Sequence, residues 1–77
     1  MNNGSIIIKN VSGSAYAVEE LGGTSMANNE ELDLVGDGKY QWEDANRLLM
    51  ECSDAQLCKD IVAEDVEVVS NTPPDSM

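Results

Sequence analysis

Histidine and phenylalanine are missing from this 77-residue chain, and lysine and arginine together number 4 against 15 aspartates and glutamates. Without histidine the chain lacks the usual general base and the commonest metal ligand. With a formal net charge of −11, it has no basic face for nucleic acid or anionic membrane. Lys9, Lys39, Arg47 and Lys59 are scattered and form no patch. No apolar run approaches the roughly 20 residues that span a bilayer, and residues 1–5 lack the basic start and apolar body of a signal peptide. The expectation is a soluble chain made in the cytoplasm.

Size limits stability. A chain of this length buries roughly 60% of its unfolded surface, and its balance of burial against chain entropy comes out near zero. Disulfides, metals or neighbouring subunits usually make up the difference. Cys52 and Cys58 are the only cysteines. Two thiolates with no further ligand do not make a structural zinc site, so no metal or other cofactor is expected. A disulfide would close a small loop in a reducing compartment. Buried free thiols acting as small hydrophobes are the favoured reading, with the disulfide left open. Oligomerisation or docking on partners is then the main route to added stability.

What the chain does contain is organised around residues 40–69. Trp42, Ala45, Leu49 and Cys52 recur at steps of three, four and three, which places them with Leu48 on one helical stripe. Glu43 and Arg47 lie outside it, four apart, in the favourable order for a surface ion pair. Ser53 and Gln56 have the spacing of a capping box. A second helix is therefore expected over residues 54–63, with Leu57, Cys58, Ile61 and Val62 inward. Val66 and Val68 then alternate with Asp65 and Glu67, as a half-buried strand would.

The N-terminal half reads as short strands. Ile6, Ile7 and Ile8 supply β-branched side chains to both faces of a strand over residues 5–11. Residues 15–21 return as its hairpin partner, Gly22 and Gly23 form a tight turn, and residues 24–27 make a brief third strand. Leu32 and Leu34 alternate with Glu31 and Asp33, giving another half-buried strand over residues 31–35. The fold class expected is α+β, a small antiparallel sheet of three to four strands with two short helices packed on it. Residues 1–69 form one domain and residues 70–77 an extended, proline-containing tail.

No catalytic pattern emerges. No nucleophile has an activating partner, and the acids around Gly36 and Gly38 lack the ligand spacing of a calcium loop. Adjacent carboxylates are expected on a solvated face of so acidic a chain. The reading is not an enzyme.

Ile8-Lys9-Asn10-Val11-Ser12-Gly13, then Tyr16-Ala17-Val18-Glu19-Glu20-Leu21-Gly22, then Glu31-Leu32-Asp33-Leu34, Trp42-Glu43-Asp44 and Ser53-Asp54-Ala55-Gln56-Leu57 make up a familiar series. Over roughly residues 5–69 it resembles short virion structural proteins of tailed bacteriophages, from head, neck or tail. It departs from that pattern where glycine usually precedes the last strand, since Ala63 and Glu64 stand there.

The resemblance implies a non-enzymatic virion component, docked in many copies on capsid, connector or tail proteins, made in the host cytoplasm and located in the virion. Its partners would be virion proteins or further copies of itself. The expected contacts are backbone edges of residues 5–11 or 31–35, which carry Leu32 and Leu34, the face of Ile7 and Val11, and the tail with Thr72, Pro73 and Pro74. Two other classes stay open. An acidic mimic of DNA would inhibit a host DNA-binding protein, although the acids here are spread over strands, turns and helices. A small regulatory or adaptor protein of the host is the third.

Overall fold

The computed structural model describes residues 3–75, which form an α+β fold. Five strands and two helices follow the order β1 (Ser5–Asn10), β2 (Tyr16–Val18), β3 (Thr24–Met26), β4 (Glu31–Asp33), α1 (Trp42–Met50), α2 (Gln56–Val62) and β5 (Val66–Thr72). A single 3-10 turn, Glu19–Leu21, follows β2. The strands divide into two sheets. One is three-stranded in the order β4-β1-β5, and the other is the β2-β3 hairpin. All pairings are antiparallel. Residues 15–21 were expected to pair with β1, but β2 pairs with β3 and leaves both edges of β1 to β4 and β5.

Alternation along β1 sorts its two faces. Ile6, Ile8 and Asn10 are buried, while Ile7 and Lys9 between them are partly exposed. Ile6 and Ile8 join Val18, Met26, Leu34, Ala45, Leu57 and Val66 in one core. Each such aliphatic side chain contributes roughly 1.5–3 kcal/mol when fully buried. α1 gives Ala45 to this core, with Trp42, Leu48 and Leu49 packed around it, as the helical stripe predicts. The ion pairs differ from expectation. Arg47 lies 3.4 Å from Asp44 and 3.7 Å from Glu51, all well exposed, and Glu43 is not its partner.

Asn10 is buried completely at the end of β1. Its Nδ2 donates to the carbonyls of Ser14, Met26 and Ala27, at 2.7, 3.1 and 3.1 Å. Its Oδ1 accepts from the backbone N–H and the hydroxyl of Ser12. One amide thereby fastens the β2-β3 hairpin to the main sheet.

The last strand is longer than its apolar residues indicate. Ser70, Asn71 and Thr72, assigned to the tail in the sequence, pair with Ile7, Ile6 and Ser5. Val69 has no partner, because Ile8 faces Val68 while Ile7 faces Ser70, and it forms a β-bulge. Beyond the bulge the strand is held to α1 by side chains. Trp42 Nε1 donates to Asn71 Oδ1 at 2.9 Å, and Asn71 Nδ2 donates to Asn46 Oδ1 at 3.0 Å. Gly4, at φ 86°, leaves the space this corner needs. A Cβ there would lie 2.9 Å from Trp42 Cδ1 and 3.1 Å from Pro74 Cδ.

Cys52 and Cys58 are joined by a disulfide across the connection between α1 and α2, with Cα atoms 4.8 Å apart. The reading of two free thiols is thus corrected. Chain reversal between two short helices brings the pair within bonding range. Ser53 and Asp54 lie in that reversal, so the expected capping box is not formed and α2 begins at Gln56. Val62 also departs from expectation: it is 73% exposed, pointing away from the core that Leu57 enters.

Candidate partner-binding surface

In the order β4-β1-β5 the outer strands carry the unpaired edges. The proposal that β1 adds to a partner's sheet is therefore corrected, since it is the central strand. β4 offers an edge of three residues, Glu31–Asp33. β5 offers seven, Val66–Thr72, and the bulge at Val69 twists the second half away from the first.

Beside the first half of β5 lies a groove of about 480 Å³, lined by Val11, Ile61, Glu64, Val66, Glu67 and Val68. Its lining follows from local structure. Val11 extends β1, its N–H donating to the Asp65 carbonyl at 3.0 Å. Ile61 comes from the last turn of α2 and stays only partly buried, as does Val68. Val66 is buried. Four aliphatic side chains and two acids thus line it.

Glu64 reaches the groove through an unusual backbone. α2 ends in a Schellman motif: the N–H of Glu64 donates to the Ile61 carbonyl and that of Asp65 to the Asp60 carbonyl, both at 3.0 Å. The motif demands a left-handed residue at the position of Glu64, which has φ 66°. Glycine normally fills it. The side chain there costs roughly 1–2 kcal/mol.

The seven residues singled out in the sequence are not brought together. Val11, 38% exposed, lines the groove. Ile7 sits on the run of β1 opposite the buried Ile6, Ile8 and Asn10, partly exposed and outside the lining. Leu34 is fully buried, and Leu32 packs against the core. Thr72 pairs with Ser5 inside β5. Pro73 is exposed and Pro74 partly covered. The remainder of the expected tail, residues 76 and 77, lies outside the described residues. The groove residues missed by sequence were Ile61, read as facing the core, Val66, Glu67 and Val68, read as a half-buried strand, and Glu64, read with Ala63 as the turn before it. The one available signal was the acid in place of glycine at Glu64.

The other polar clusters are occupied by contacts within the domain. Tyr40 donates its hydroxyl to the Glu20 carbonyl at 2.7 Å. Tyr16 donates to Asp60, which also accepts from Gln56. Burial first, and then this bond to Asp60, raise the Tyr16 phenol above its ordinary range, so it remains a proton donor. Among the described residues no group of three or more His, Cys, Asp or Glu is placed to hold a metal. No described helix is long and apolar enough to cross a membrane.

These features define a small α+β domain with an open sheet edge beside an apolar groove. Compared with protein-family models, with curated proteins and with solved structures, the chain matches none.

Proposed function

We propose that this chain is a non-enzymatic structural or accessory component of a bacteriophage virion, docked in many copies on capsid, connector or tail proteins. The observation that carries the reading is the unpaired edge of β5 beside an apolar groove. An edge strand is a template for pairing with another chain, and a small domain gains stability from any partner that binds its folded form. The order of strands and helices adds the resemblance to bacteriophage virion proteins. No catalytic, cofactor or nucleic-acid role is part of this reading.

Mass spectrometry of purified particles tests it. The chain is expected among the virion proteins at a copy number comparable to theirs. A chain absent from particles that binds a host nuclease at low salt and releases it at high salt would instead be an acidic mimic of DNA, which the charge of −11 permits.

A further inference from the structure

We propose that the β5 groove receives an extended segment of a partner protein, one that places aliphatic side chains on Val11, Ile61 and Val68 and lysine or arginine against Glu64 and Glu67. This deepens the reading above and rests on it, naming the surface and the chemistry of its occupant.

Three observations converge. The edge of β5 beside the groove has no strand partner in the sheet order, so an incoming segment gains main-chain hydrogen bonds as well as side-chain burial. Four aliphatic side chains and two glutamates line the groove. Among the described residues the ion pairs are those of Arg47, so Glu64 and Glu67 hold no cation within 4 Å.

Charge selects the occupant. A second copy of this chain would bring another net −11 to the same edge, so charge opposes self-pairing there. A segment that carries both basic and aliphatic residues complements the two glutamates and the four aliphatic side chains of the lining.

The backbone of Glu64 is an independent sign. Glycine is the residue that fits φ 66° at the end of α2. A left-handed acid in the lining of the groove is local strain located at a surface where a charge is useful, and such strain clusters at binding sites. The same side chain therefore lowers stability and supplies recognition.

The experiment titrates the full-length chain with a fluorescent synthetic peptide of alternating lysine and valine, and maps the contact by NMR amide shifts. Shifts confined to Val11, residues 61–68 and their strand neighbours are expected. Val11→Asp should weaken binding at least tenfold while leaving the circular dichroism spectrum unchanged. Glu64→Gly should weaken it several-fold and raise the melting temperature, a combination that misfolding does not produce.

Equal affinity for an all-lysine peptide, or shifts centred on Glu19 and Asp54, would overturn the proposal in favour of unspecific attraction. So would a wild-type dimer that Val11→Asp dissolves, since a second copy would then fill the groove. If the peptide result fails while the chain is still found in particles, the groove assignment alone is wrong. If the peptide binds as described and the chain is absent from particles, the virion reading is wrong and the docking site stands.

Discussion

Glu20 Oε2 accepts the backbone N–H of Leu57 at 3.1 Å, across 37 positions of sequence. Leu57 is the second residue of α2, so the first turn of that helix is capped by a carboxylate from the 3-10 turn after β2 and by no side chain of its own. The negative charge also meets the positive end of the helix dipole. The other carboxylate oxygen, Oε1, is buried without a hydrogen-bond partner among the described residues.

Glu20→Ala removes the cap and leaves the Leu57 N–H without its acceptor. A loss of about 1–2 kcal/mol is expected, which for a domain of this size lowers the melting temperature by roughly 4–16 °C. Thermal unfolding followed by circular dichroism reads it directly. Glu19→Ala, next door and exposed, should change little.

Asn10→Asp should be far more damaging. The substitution would turn the amide that donates to three carbonyls into a buried carboxylate facing them, and an uncompensated buried charge costs several kcal/mol. The domain is expected to be unfolded at neutral pH. A proton NMR spectrum with native dispersion for this variant would contradict the role assigned to Asn10.

The disulfide closes a loop with a sequence separation of 6. Loop-closure entropy for so short a loop gives about 2 kcal/mol. Adding a reductant, or replacing both cysteines by serine, should lower the melting temperature by roughly 8–16 °C. Equal melting curves with and without reductant would show that the bond adds nothing to this fold.

Asp33 carries the pH dependence. Burial by itself pushes its carboxyl up, but the N–H groups of Val35, Gly36 and Ile6 and the Ser5 hydroxyl outweigh it and hold the carboxyl below its usual value. The folded state thus favours the ionised form. Its stabilising effect is present above the ordinary carboxylate pKa, near 4, and is lost as pH falls through the depressed folded value. The gap in stability between the wild type and Asp33→Asn should be full at pH 6 and shrink below about pH 4. A gap independent of pH would contradict the assignment.

Much of the fold was legible because its signals are local. The helical stripe of Trp42, Ala45 and Leu49 and the alternation of Val66 and Val68 mark α1 and β5 by period alone. What escaped depends on distant partners. Ser70, Asn71 and Thr72 have no strand-like composition and are extended because β1 supplies their pairing. Ser53 has the chemistry of a cap, yet the cap comes from Glu20. The groove was harder still, since Val11 was singled out as a contact residue but Ile61 and Val68, on two other elements, look like ordinary core when read one at a time. Glu64 alone marked the place, as an acid where a helix end asks for glycine.

The central claim is tested most directly by sedimentation velocity of the purified chain with head, neck and tail proteins of the same particle, using wild type and Val11→Asp side by side. Wild type is expected to move with one of those proteins, and Val11→Asp to remain at the position of the free chain. A wild-type chain that stays free in every mixture would contradict the account.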